Sequence, residues 1–177
     1  MIRLFVALAL PDAVLDSLFA LGYGVPGARW ATREQLHLTL RFIGEVDGRD
    51  AAAIDDALAA ITAPPFTMEL KGVGEFGGKN PRALWADVEP NEALTHLQRK
   101  IETALQRIGL DAETRKFTPH VTLARLRGSP PGRVLDFLTD HALYRSGAFM
   151  VDAFTLFSSV LTSDGSHYAP ERVYPLK

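Results

Sequence analysis

The sequence predicts an α+β fold: mostly antiparallel sheets with helices on the outside, arranged as two pseudo-symmetric lobes packed together. Three observations carry that expectation. Amphipathic helical stretches alternate with short runs rich in Val, Ile, Leu and Phe. Turn signals of the hairpin kind join neighbouring runs, such as Asp164-Gly165. One strand pattern, His-x-Thr-Leu, occurs twice, at 37–40 and at 120–123. No linker or low-complexity run divides the chain, and 177 residues fit the ~100–200 typical of one domain. Residues 1–177 therefore read as a single bilobal domain.

Residues 2–9 form the first expected strand. Pro11 suits the first turn of a helix and Asp12 complements its dipole. Val14, Leu15, Leu18, Phe19 and Leu21 give that helix its apolar face, until Gly22 and Gly24 end it. Residues 29–43 hold a short extended piece, RWAT, and then the strand HLTLRFIG. A helix follows over roughly 49–62, with Ile54, Leu58 and Ile61 at helical spacing, and is closed by Pro64 and Pro65. Strands are expected at 66–76 and 82–89 around the turn GGKNP. The clearest helix is 92–108, where Leu94, Leu97, Ile101, Leu105 and Ile108 recur every three or four positions. A strand at 119–126, a short helix near 131–141 and long strands at 148–161 and 167–175 complete the chain.

Composition narrows the function. Hydrophobic residues make up 47% and charged ones 23%, enough apolar material for a core. A net charge of −2 excludes a protein held to polyanions by a global positive field. With no cysteine, disulfide frameworks, thiolate metal sites and cysteine nucleophiles are out. The apolar run Leu4–Leu10 imitates a signal sequence, but Pro11 and Asp12 break it with no cleavage pattern behind. A buried first strand in a cytoplasmic protein is the expectation.

In a strand, alternate side chains share a face, so His37 and Thr39 point one way and Leu38 and Leu40 the other. His120 and Thr122 oppose Val121 and Leu123 in the same manner. Facing across a groove, such strands make two copies of one polar device, suited to attack on a phosphodiester. One imidazole removes a proton, the other protonates the leaving oxygen, and the hydroxyls donate to phosphoryl oxygens. The scheme needs no metal or cofactor. His96, His141 and His167 lie outside any ligand spacing.

On these residues the chain resembles the two-histidine phosphoesterase superfamily, and within it the bacterial and archaeal RNA 2′,3′-cyclic phosphodiesterases, historically called 2′-5′ RNA ligases. The likeness runs nearly end to end: RLFVAL with Pro11, RW at 29–30, HLTLRFIGEV at 37–46, GVGEFGG at 72–78, PRALWADV at 81–88, FTPHVTLAR at 117–125 and YPL at 174–176. The resemblance implies two antiparallel sheets across a central cleft. It also implies hydrolysis of terminal RNA 2′,3′-cyclic phosphates to 2′-phosphates, with weak reversible 2′-5′ ligation in some members. Carried over, His37 and His120 are the catalytic pair, with His120 as base and His37 as acid toward the 3′ oxygen. Thr39 and Thr122 become phosphate donors, and Arg125 a phosphate contact. Strict alternation sets Arg125 on the face opposite His120, so it reaches the cleft only if the strand ends, twists or bulges.

Arg115, Lys116, Arg125, Arg127 and Arg133 lie in a stretch free of acidic residues that can hold an RNA backbone. Trp30 and Tyr168 are candidates for base stacking; Phe42 reads as packing, and segment 72–78 as a turn or loop rimming the cleft. The partners implied are single-stranded RNA ends, with no membrane and no second protein, the chain acting as a monomer. Two alternatives stay open: a non-catalytic RNA-binding module, and a phosphodiesterase for small cyclic nucleotides.

Overall fold

The apolar periodicities become elements whose buried faces match them. In the computed structural model, which describes residues 1–177, the chain order is β1 (Ile2–Leu8), α1 (Asp12–Phe19), β2 (Ala28–Trp30), β3 (Leu38–Val46), α2 (Gly48–Ala59), β4 (Phe66–Met68), β5 (Leu70–Phe76), β6 (Ala83–Val88), α3 (Glu92–Arg107), β7 (His120–Leu126), α4 (Pro131–Asp140), β8 (Phe149–Val151), β9 (Ala153–Thr162) and β10 (Gly165–Pro175). No helix is long and apolar enough to cross a membrane. Asp47 caps α2 by accepting from the Asp50 amide, and Asn91 caps α3 by accepting from the Leu94 amide. The apolar stripe of α3, Leu94, Leu97, Ile101 and Leu105, is wholly buried.

Two expected strands are broken. The segment 66–76 divides at Glu69, and 148–161 divides at Asp152. The first halves, β4 and β8, leave the main sheet and pair with each other, Phe66 facing Val151. The Leu70 amide, at the start of β5, is met by the Ser146 hydroxyl at 2.9 Å rather than by a strand.

The remaining strands form one sheet in the order β10-β9-β1-β3-β7-β6-β5, with β2 also on β7. This corrects the expectation of two separate sheets. The β10-β9-β1-β3 part and the β7-β6-β5 part are joined, and the join is a single residue pair, Leu38 with Val121. Beyond Leu123, β2 takes the edge of β7: Trp30 faces Ala124, and the Ala31 amide donates to the Leu123 carbonyl at 2.8 Å. In the other direction β7 begins at His120, so the rest of β3 has no partner there. One face of the sheet buries Leu4, Val6, Leu8, Leu38, Leu40, Leu84, Val121 and Leu123 in the core shared with Ile54, Leu58 and α3. The opposite face carries the histidines.

Candidate active site

His37 immediately precedes β3 and His120 opens β7. Both rings are fixed alike: Nδ1 lies 2.7 Å from the carbonyl two residues earlier, Gln35 for His37 and Thr118 for His120. A carbonyl only accepts, so Nδ1 carries the hydrogen and Nε2 is left as the reactive nitrogen of each ring. Nε2 of His37 stands 2.9 Å from Thr39 Oγ1, and the hydroxyl donates to it while the ring is neutral. His120 Nε2 has no protein partner.

The Leu38–Val121 pair is antiparallel, so a local two-fold axis passes through it. One step outward, the same register sets His37 opposite Thr122 and Thr39 opposite His120. The two imidazoles thus lie on either side of one residue pair, with His37 within the electrostatic reach of His120. Burial pushes the His37 pKa below its ordinary value, opposed by the Gln35 carbonyl and reinforced by the charge of His120. Each ring has an aromatic wall. Phe5 lies 4.9 Å from His37 and Tyr168 meets it edge-on at 5.2 Å. Phe76 meets His120 edge-on at 5.4 Å, with Trp85 at 6.0 Å.

The Arg125 conflict is resolved by a β-bulge. In the β6–β7 pairing, Leu84 faces Ala124 and Trp85 faces Thr122, so Leu123 is the extra residue. Leu123 and Ala124 both turn inward, and Arg125 returns to the histidine face as an exposed side chain. The first motif repeats the device: Val6 faces Arg41, Ala7 faces Thr39, and Leu40 is extra. Arg41 is thereby buried, 7% exposed. Its Nε donates to Glu102 at 2.5 Å and its Nη2 to the Asp111 carbonyl at 2.5 Å. Glu102 also accepts from the Glu113 amide at 2.9 Å.

The same bulge corrects the reading of Phe42. It does not pack inward but is 56% exposed on the histidine face, 6.0 Å from Phe5. Trp30 is corrected in the opposite direction. Facing Ala124, it sits on the core side and packs against Phe137 at 5.6 Å, away from any base that the histidines could reach. Tyr168 lies beside His37. Segment 72–78 is mostly strand β5 rather than a loop. Two residues of the basic stretch are engaged within the protein: Arg115 pairs with Glu113, and Arg133 donates to the Gly24 carbonyl. No three His, Asp or Glu side chains group as a metal site. The face also carries Phe5, Phe42, Phe76, Trp85 and Arg29, none of which the sequence reading had assigned to it. Phe42 had its signal in the alignment of HLTLRF with HVTLAR, which sets it against Arg125, and Arg29, Phe76 and Trp85 lay within RW, GVGEFGG and PRALWADV.

The fold and site define a class: α+β proteins whose single antiparallel sheet presents two His-x-Thr strands about a common centre. A family model described as the 2′-5′ RNA ligase superfamily matches residues 22–161. An RNA 2′,3′-cyclic phosphodiesterase of Archaeoglobus fulgidus is 31% identical, over 97% of this chain and 99% of its own. One of Aeropyrum pernix is 35% identical over 82% of this chain and 84% of its own. The crystal structure of Escherichia coli LigT complexed with 3′-AMP superposes with a TM-score of 0.81 at 26% identity, covering 99% of this chain and 98% of that one. The chain belongs to the 2′-5′ RNA ligase superfamily.

Proposed function

We propose that this protein hydrolyses RNA 2′,3′-cyclic phosphate ends to 2′-phosphates, with His37 and His120 as its acid and base. The observation that carries this is the meeting of both motifs at the Leu38–Val121 pair, each ring pinned in the Nδ1–H tautomer. The relatives' shared name, RNA 2′,3′-cyclic phosphodiesterase, supports the substrate class.

Water attacks phosphorus and His120 Nε2 takes its proton; the unpartnered lone pair on that nitrogen suits the role. The bond from phosphorus to the 3′ oxygen breaks, and His37, protonated when the phosphodiester anion arrives, delivers its Nε2 proton to that oxygen. The product carries a 2′-phosphate and a 3′-hydroxyl. Thr39, Thr122 and Arg125 hold the non-bridging oxygens as charge develops, and Tyr168 flanks the terminal base. Both motifs come from one chain, so a monomer suffices, acting where RNA is processed in the cytoplasm.

The test is turnover of an oligoribonucleotide ending in a 2′,3′-cyclic phosphate, with chelator present. His37→Ala and His120→Ala should each lower the rate by ~10²–10⁴. Rates unaffected by either change would overturn the proposal. Salt-sensitive binding without turnover would favour the binding-module alternative.

A further inference from the structure

One pleat beyond Thr122, four strands place one residue each in a single row across the histidine face: Phe76 on β5, Ala83 on β6, Arg125 on β7 and Arg29 on β2. The arginines are direct cross-strand neighbours. Such neighbours hold their β-carbons roughly 4.5–5.5 Å apart, where like charges destabilise a sheet. Neither arginine forms an ion pair with a carboxylate.

Arg29 is nonetheless held in place. Its Nη2 donates to the Asp164 carbonyl at 2.6 Å, in the turn between β9 and β10. Gly165 in that turn has φ +113°, and a β-carbon there would lie 2.9 Å from the same nitrogen. Glycine therefore serves both the turn and the close approach of the guanidinium. Arg29 Nε and Nη1 and all of the Arg125 guanidinium have no partner within the protein. Ala83 beside them is small and leaves the space over the row clear. One held guanidinium and one free one, side by side with open donors and no counter-charge, make a site for a tetrahedral oxyanion.

The pseudo-two-fold axis relates this row to one of different chemistry. The other end of the face carries Phe42, Phe5, Phe157 and Pro170 in the corresponding row across β3, β1, β9 and β10. One end of the face is aromatic and the other cationic, so a ligand lying across the histidines has one orientation. The step from the Thr122 row to the Arg125 row is about 6.8 Å, of the size that separates successive phosphates along an extended nucleic-acid strand.

We propose that Arg29, sharing Arg125, binds the internucleotide phosphodiester that precedes the terminal cyclic phosphate, so that the enzyme prefers RNA chains to cyclic mononucleotides. This deepens the function proposed above and rests on it. The variant is Arg29→Gln, with Arg29→Lys as the charge-retaining companion should the first fail to fold. The two substrates are an oligoribonucleotide with a 2′,3′-cyclic phosphate end and 2′,3′-cyclic AMP. For R29Q, KM on the oligonucleotide should rise roughly tenfold, the loss of one charge-assisted hydrogen bond. On cyclic AMP, kcat/KM should stay within about twofold of wild type. The plot of log affinity against log salt should flatten by about 0.7, since one phosphate is no longer neutralised by the protein. R29K should keep that slope while recovering only part of the KM. Equal losses on both substrates would mean that Arg29 merely braces the hairpin, and no change on either would also refute the proposal. Binding of an oligoribonucleotide with a plain 3′-hydroxyl needs no turnover: R29Q should weaken it and flatten its salt slope, and unchanged binding overturns the inference. Wild-type protein that turns over neither substrate counts against the proposed hydrolysis, with this binding measurement still deciding the role of Arg29.

Discussion

Gly74 lies on β5 directly opposite Trp85, and the indole ring rests on it. A β-carbon at Gly74 would fall 2.3 Å from Trp85 Cη2 and Cζ2, whereas ordinary contact begins at 3.4 Å. Gly74→Ala therefore forces the indole edge to retreat by about 1.1 Å. The backbone there is not left-handed, so the whole effect is packing, and overpacking of this kind costs about 1–3 kcal/mol. The ring cannot yield freely, with Phe76 at 5.2 Å on one side and His120 at 6.0 Å. A 1 Å displacement at a reacting group costs up to ~10² in rate. Urea denaturation should show the stability loss, and kcat on the cyclic-phosphate oligonucleotide should fall by tenfold or more. Gly74→Ala/Trp85→Leu should recover stability, because the smaller side chain vacates the clash. A single variant with unchanged midpoint and unchanged kcat would refute the claim that Trp85 is seated on Gly74 and supports His120.

Glu102→Ala leaves Arg41 buried without its carboxylate, and the loss should reach about 3–5 kcal/mol by denaturation; a loss below ~1 kcal/mol would mean that the guanidinium finds water. His120→Ala removes a charge that depresses the His37 pKa, so the His37 ring should titrate at higher pH than in wild type, followed by NMR of its carbons. Burial, the larger cause, remains, which keeps the midpoint below the ordinary histidine value of about 6.5. Because the folded ring binds its proton more weakly than the unfolded one, its contribution to stability is present above about pH 6.5 and is lost as pH falls through the folded value. An unmoved His37 midpoint in H120A would separate the two imidazoles beyond electrostatic reach.

The histidine face was legible because strand alternation is local: His37 with Thr39 and His120 with Thr122 follow from a period of two. The fate of Arg125, Phe42 and Arg41 was not, since a bulge is defined by the partner strand and β1 and β6 are distant in sequence. Trp30, open between base stacking and half-core packing in the sequence, has its face set by β7 rather than by its own three-residue strand. The merging of two expected sheets into one depends on a single long-range pair, which no periodicity announces. The breaks at Glu69 and Asp152 were not read from the sequence, because only the β4–β8 pairing turns these positions into strand ends.

A sheet sewn together by one stitch is compliant in torsion. Rotating the β10-β9-β1-β3 part of the sheet against the β7-β6-β5 part about the Leu38–Val121 line strains the underlying core but no rung of the ladders β1–β9 or β5–β6. Such a rotation changes how far apart the two imidazole tips stand. The spacing of the two imidazoles therefore rests on the core shared beneath the sheet more than on the ladder between β3 and β7.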